Sequence, residues 1–165
     1  MIPPTDINYQ LLADMRGLYQ EVDATTTAHS SVCVNRGLCC KFGEFGHKLY
    51  VTDVELSYFL AGQGGTARPV EDVAACPYQV AGQCTAREHR PLGCRIFFCD
   101  PAAQGWQGPE YERFLEKLKH LGRRHGVAYR YREWLSALAE HAESNEFISP
   151  APITPVDHIP LPVIK

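Results

Sequence analysis

The stretch Cys33-Val34-Asn35-Arg36-Gly37-Leu38-Cys39-Cys40 places three of the chain's seven cysteines in one short segment. The other four cysteines follow at Cys76, Cys84, Cys94 and Cys99. Neither helical nor strand periodicity extends through residues 25–47, and no cysteine continues a helical apolar stripe. Because loops allow several sulfur atoms to converge on one point, this pattern predicts that the seven thiols are metal ligands.

The number of cysteines also favours ligation. An odd number of thiols cannot pair completely within one chain, and structural disulfides rarely persist in a reducing cytosol. The alternative is that scattered thiols fill the core as small hydrophobic groups. Since all seven lie between residues 33 and 99, we expect ligation instead.

Composition and charge restrict the location and the partners. The formal net charge of −3 argues against a surface built as a whole to bind nucleic acid or anionic lipid. No apolar run approaches the roughly 20 residues that span a bilayer, and the chain does not begin with a basic region followed by an apolar one. We therefore predict a cytoplasmic protein that does not enter a membrane.

One segment near the end of the chain is locally basic. Its basic side chains are Arg113, Lys117, Lys119, His120, Arg123, Arg124, His125, Arg130 and Arg132. Glutamates at four positions interrupt it, so we predict a solvated helix face with charge pairs. Nucleic acid is not an expected partner, and the sequence identifies no protein partner.

Apolar periodicity predicts a mainly α protein with a small irregular or β element, an α+β arrangement in which helices pack around a cysteine-rich loop core. The predicted helices cover residues 7–22, 53–60, 109–126 and 131–143, with a strand at 47–51 and a hairpin at 76–85. Thr52 and Glu55 have capping-box spacing, Pro109 stands where a first helical residue is favoured, and Ala81-Gly82 is the predicted hairpin turn.

The chain length fits a single domain over residues 1–165. Residues 33–101 form its cysteine-cluster core. Residues 149–165 contain five prolines and predict an extended tail. No internal repeat divides the chain further.

The cysteine pattern resembles that of the YkgJ-like cysteine-cluster proteins, a family described as a zinc- or iron-chelating domain. That family has C-x-x-C-x-x-C-C, then C-P, a further cysteine, and R-P-x-x-C-R-x-F, often closed by another cysteine. The matching positions are Cys33, Cys39, Cys40, Cys76, Pro77, Cys84, Arg90, Pro91, Cys94, Arg95, Phe97 and Cys99. The resemblance covers residues 33–101 and implies a Zn²⁺, iron or iron-sulfur centre.

This chain departs from the family pattern at Arg36, which stands in place of the second cysteine of the first motif. Seven thiols exclude two independent four-cysteine sites. One four-cysteine site with spare thiols, a sulfur-bridged cluster, and a site that borrows an imidazole from His29, His47 or His89 remain open. A centre with an open coordination position at Arg36 is a fourth arrangement.

The spacing of the cysteines does not distinguish a zinc site from an iron site. The chain lacks the C-x-x-C pairs of zinc ribbons. Cys94 and Cys99 have the C-x4-C spacing that also occurs in plant-type ferredoxins. Both metals, and an iron-sulfur cluster, therefore stay open.

Basic side chains adjoin the predicted ligands in sequence. Four thiolates on a divalent ion leave two uncompensated negative charges, which is costly unless neighbouring groups offset them. Arg36, Arg90 and Arg95 are placed to do so, and we predict that these arginines contact the ligands.

Three functions are compatible with a cysteine cluster. We expect a metal-binding module in a structural or metal-handling role. The first alternative is an enzyme that uses the centre, either redox or methylase-like, because related clusters occur in flagellin methylases and Arg36 replaces a ligand. The second is a thiol redox sensor, which the odd number of thiols and the adjacent Cys39 and Cys40 favour. Whether the chain is an enzyme, and on what substrate, is left open.

Overall fold

The computed structural model describes residues 4–29, 37–97 and 101–143, with side chains from residue 9 to residue 142 of these ranges. The described helices and strands are α1 (Pro4–Ala28), α2 (Phe42–Phe45), β1 (Tyr50–Thr52), α3 (Asp53–Gly62), β2 (Gln79–Val80), β3 (Gln83–Cys84), α4 (Leu92–Ile96), α5 (Gln104–Arg124), β4 (Tyr131–Glu133) and α6 (Trp134–Glu143). The predicted class, mainly α with a small β element, is confirmed.

Two short antiparallel pairs make up the β structure in these ranges. Strand β1 pairs with β4, with Val51 opposite Arg132, and β2 pairs with β3. The β2–β3 hairpin turns at the predicted positions, where Ala81 and Gly82 both have positive φ angles. A two-residue turn with this backbone matches the twist of the strands on either side.

The predicted capping box is confirmed at the start of α3. The hydroxyl of Thr52 accepts a hydrogen bond from the amide of Glu55, and the Glu55 carboxylate accepts one from the Thr52 amide at 2.7 Å. These bonds satisfy donors that the first helical turn leaves without partners. The helix therefore begins directly after strand β1.

The predicted boundaries near Pro109 and Tyr131 were wrong. Helix α5 begins at Gln104 and contains Pro109, because the buried Ala103 and Gln107 anchor an earlier turn. Residues 131–133 form strand β4 instead of the first turn of a helix, since they pair with β1. The first strand is correspondingly displaced from residues 47–51 to residues 50–52.

The prediction that the cysteine segments contain no helix also needs correction. Cys94 lies in the five-residue helix α4, and Cys39 and Cys40 lie in a 3₁₀ turn. Elements of one turn are too short to show a period of 3.6 residues. Cys33, Arg36, Cys99 and the predicted tail at 149–165 lie outside the described residues.

Two groups of buried side chains form the interior. One joins α3, β1 and α6 to the cysteine segments around Cys40 and Cys76. The other joins α1, α3 and α5 to α4 through Leu92 and Ile96. Helix α3 contributes to both groups, and Cys39, Cys40, Cys76 and Cys84 belong to or pack against the first.

The basic side chains of α5 form ion pairs, as the charge pattern predicts. Arg113 and Lys117 pair with Glu21 of helix α1, and Arg124 pairs with Asp14 of the same helix. Exposed pairs of this kind contribute little stability individually. In the described ranges, no helix has the length and apolar character needed to cross a membrane.

Candidate metal centre

Cys39 and Cys40 lie in the single 3₁₀ turn Leu38–Cys40. Gly37 precedes this turn with a φ of 67°, in the left-handed region that glycine adopts most readily. A Cβ atom on Gly37 would also lie 2.6 Å from the carbonyl oxygen of Gly82. Glycine at this position therefore lets the cysteine turn pack directly against the β2–β3 hairpin.

Two hydrogen bonds hold the hairpin segment beside this turn. The amide of Cys76 donates to the carbonyl of Cys40 at 2.9 Å, and the side-chain amide of Gln79 donates to the carbonyl of Gly37 at 2.6 Å. Cys84 lies opposite Gln79 on the paired strand β3. Four cysteines from two separate parts of the chain thus come together.

Cys94 reaches the same region from helix α4. The buried carboxylate of Glu55 accepts a hydrogen bond from the amide of Leu92 at 2.8 Å, which fixes the start of this helix. Gly93 lies against Leu49 so closely that a Cβ atom would be 2.6 Å from the leucine methyl group. The buried carboxylate and the glycine together determine where Cys94 lies.

Hydrogen bonds among the thiols of Cys39, Cys40 and Cys76 lower the pKa values of two of them and raise that of the third. The hydrogen bond with Cys40 lowers the pKa of Cys39 to about 6, and the nearby positive charge of Arg90 adds to the effect. The bond with Cys40 also lowers the pKa of Cys76 to about 7, with help from Trp134. The pKa of Cys40 is raised, because its hydrogen bonds with Cys39 and Cys76, together with burial, favour the protonated thiol. The arrangement favours two thiolates that flank one protonated thiol.

Burial raises the pKa of Cys84 and of Cys94. The negative charges of Cys39 and Cys76 raise both values further, while the charge of Arg90 lowers them. The sulfurs are therefore near enough to repel one another when ionised. A positive charge among them would remove this repulsion.

The donor chemistry fits a thiophilic cation. All five described cysteines are free of disulfides, and thiolate is the ligand that zinc and iron-sulfur centres accept. Across residues 4–29, 37–97 and 101–143, no group of three or more Cys, His, Asp or Glu side chains is already arranged to hold a metal ion. The described thiols supply a fitting donor set without a formed coordination sphere.

The Arg95 guanidinium contacts helix α1 and the segment before α4. It is 5% exposed, forms an ion pair with Asp23 at 2.8 Å and lies 4.1 Å from the centre of the Tyr19 ring. It also donates to the carbonyls of Glu88 and Arg90. Arg95 therefore ties the segment before α4 to helix α1, whereas the positive charge of Arg90 acts on the cysteines themselves.

Three contacts in the cysteine region were not predicted from the sequence, although His47 itself was a candidate ligand. The indole N–H of Trp134 donates to the sulfur of Cys76 at 3.4 Å, although the two residues are far apart in the chain. Glu55 receives the Leu92 amide, and a ring nitrogen of His47 lies 3.0 Å from the Cys39 carbonyl oxygen. Each depends on tertiary packing.

The two other candidate imidazoles occupy different surroundings. His29 stacks on Trp106, with ring centroids 4.3 Å apart. His89 packs over Gly62, where a Cβ atom would lie 2.3 Å from the imidazole ring, and contacts Tyr58. The imidazole whose contact is with a cysteine residue is that of His47.

Comparison with known proteins gave no match: no family model, curated protein or solved structure is significantly similar to this chain.

Proposed function

We propose that this chain is a metal-binding cysteine-cluster protein, which holds zinc or an iron or iron-sulfur centre in a structural or metal-handling role. The proposed ligands are drawn from Cys33, Cys39, Cys40, Cys76, Cys84, Cys94 and Cys99. The resemblance of residues 33–101 to the YkgJ-like pattern supports this proposal, and so does the donor chemistry of the described thiols.

The observation that carries the proposal is the electrostatic coupling of free thiols from three parts of the chain. Cys39 and Cys76 have pKa values of about 6 and 7, and their charges raise the pKa of Cys94. Thiolates are the forms that bind metal, so two ligands are prepared near neutral pH. A bound cation would also offset the repulsion among the sulfurs.

The positions of the thiols support a structural role. Cys40 and Cys76 belong to one group of buried side chains, while helix α4, which carries Cys94, contributes to the other. A metal held by these cysteines would crosslink the two groups. Its binding free energy would then contribute to folding.

Elemental analysis of anaerobically purified protein tests the proposal. We expect stoichiometric zinc, or iron with matching acid-labile sulfide. Cys76→Ser is expected to lower the metal content, whereas Val80→Ser, an exposed change in the same hairpin, should leave it unchanged. Substoichiometric metal of every kind in the unaltered protein would contradict the proposal.

A thiol redox sensor is the second candidate. The sulfurs of Cys39 and Cys40 are 4.0 Å apart, and the low pKa of Cys39 favours the nucleophilic thiolate. In this case mild oxidant would form a disulfide and lower the thiol count. An unchanged thiol count after oxidant would reject the sensor and leave the metal-binding proposal standing.

The proposed location is the cytoplasm, where the glutathione and thioredoxin systems keep thiols reduced. The free state of the five described cysteines is consistent with it. The proposed partner is the metal ion itself.

A further inference from the structure

A cavity of about 520 Å³ adjoins the cysteine region. Its lining includes Cys39 and Cys94 together with Tyr50, Tyr111 and Tyr131. Its volume lies within the roughly 300–1,000 Å³ of typical small-molecule sites. A molecule in this cavity would therefore lie next to two of the described cysteines.

Tyr50, Phe97, Tyr111 and Tyr131 form an aromatic wall of the cavity. Tyr50 and Tyr131 stack across strands β1 and β4 with ring centroids 5.4 Å apart, and Phe97 contacts Tyr111 at 5.0 Å. The hydroxyls of Tyr111 and Tyr131 are 2.6 Å apart in a hydrogen bond. This bond joins helix α5 to strand β4, so the wall is tied together across two elements.

These rings stay accessible although they are large and apolar. Tyr50, Phe97 and Tyr131 are 40%, 46% and 42% exposed. Clustered exposed aromatic groups around a cavity mark a binding site more often than scattered ones do. Aromatic rings also attract cations through the negative potential of their faces.

Charge on the lining selects among possible ligands. Glu112 lines the cavity from helix α5, and among the described residues it forms no ion pair, unlike Glu110 and Glu116 of the same helix. Lys48 also lines the cavity. A carboxylate next to three tyrosines and a phenylalanine complements a positively charged group near the α5 wall.

We propose that this cavity binds a small organic cation, an alkyl- or arylammonium group that lies among the aromatic rings with its charge toward Glu112. The ligand lies against Cys39 and Cys94 and gives the cysteine region a small-molecule partner. Side chains of α5, β1 and β4 line the cavity together with the cysteine region, and binding of an organic cation there goes beyond the proposed metal binding.

Three probes of similar shape test the charge preference: benzylamine, benzyl alcohol and benzoate. Calorimetric titration into protein as purified is expected to show benzylamine binding at least about fivefold more tightly than benzyl alcohol. Benzoate should bind most weakly. Metal content measured on the same sample keeps the outcome independent of the metal-binding proposal.

Removing the negative or the positive charge from the lining should change the ligand preference in opposite directions. Glu112→Gln should reduce the preference for benzylamine over benzyl alcohol to about twofold or less, while Lys48→Met should increase it. Both side chains are exposed, so neither change should disturb folding. Equal binding of the three probes, or an unchanged preference in Glu112→Gln, would overturn the proposal.

Two substitutions at one lining residue test whether benzylamine binds in this cavity. Gly108 lines the cavity, and a Cβ atom there meets no other atom within 4 Å. Gly108→Leu should abolish benzylamine binding, whereas Gly108→Ala should retain it. Both variants place a Cβ atom before Pro109, so they share any cost to the helix. If both bind benzylamine alike, the ligand does not occupy this cavity and the proposal is wrong.

Discussion

The indole nitrogen of Trp134 donates a hydrogen bond to the sulfur of Cys76 at 3.4 Å. Trp134 is the first residue of helix α6 and is almost fully buried. Its amide donates to the carbonyl of Leu49 just before strand β1. The start of α6 therefore positions a donor at one thiol and secures the β1–β4 pair.

Trp134→Phe removes the donor and keeps a large apolar ring. We expect the pKa of Cys76 to rise, because this N–H favours the thiolate. Outer groups of this kind typically change metal affinity by about 10-fold or more, so a competition titration with a chelator should show a weaker site. Trp106→Phe, a partly exposed indole that stacks on His29, is the control. Equal affinity in the two variants would contradict the assigned role.

Glu55→Ala should be strongly destabilising. The carboxylate accepts hydrogen bonds from Thr52, Leu92 and Tyr19 in the interior. Its loss removes a helix cap and leaves a buried amide without its acceptor, so we expect a decrease of about 2 to 4 kcal/mol in the free energy of unfolding. Urea denaturation measures it, with Ser57→Ala in the same helix as control. A decrease below about 1 kcal/mol in Glu55→Ala would show that the carboxylate does not organise this region.

Gly37→Ala should disturb the cysteine turn. Gly37 combines a positive φ with a close approach to Gly82, and a methyl group would collide with that carbonyl. We expect the free energy of unfolding to fall by about 1 to 3 kcal/mol and the metal content to be lower. Gly46→Ala is the matched control, because Gly46 has a φ of 63° but no atom within 4 Å of its Cβ position. If the two variants lose the same stability and the same metal content, the positive φ angle accounts for the loss and the close approach to Gly82 does not.

Alkylation of the reduced, metal-free protein should follow the separated pKa values. A pKa of about 6 makes the Cys39 thiolate fraction rise as pH increases through 6, so its reaction with iodoacetamide should reach half its maximal rate there. The raised pKa of Cys94 keeps that thiol protonated and slow to react at neutral pH. Peptide mapping after timed labelling distinguishes the two sites. Identical pH profiles would contradict the electrostatic description of the thiols.

Local chemistry made part of this structure predictable. The Thr52 and Glu55 cap and the turn at Ala81 and Gly82 are set by neighbours in sequence, and both are found where the pattern predicts them. The four longer helices also follow their apolar periodicity, although α1 is longer at both ends than predicted, α5 begins earlier and α6 begins later. Such features depend on a few adjacent residues, so the sequence alone reveals them.

The features of the fold and of the candidate site that the sequence did not predict depend on tertiary contacts. Strand β4 exists because β1 offers it a partner from the first half of the chain, and helix α4 begins where Glu55 receives the Leu92 amide. The aromatic wall depends on the same pairing, since Tyr50 and Tyr131 are distant in sequence. The apolar pattern of a single segment does not predict such contacts between residues that are distant in the sequence.

X-ray absorption spectroscopy of the anaerobically purified protein, at the edge of the metal that it contains, tests the central claim most directly. We predict a first shell dominated by sulfur, with three or more scatterers at about 2.3 Å. Cys39→Ser should reduce the sulfur contribution if Cys39 is a ligand. A first shell made only of oxygen and nitrogen, or a protein without bound metal, would contradict metal binding by the cysteine cluster.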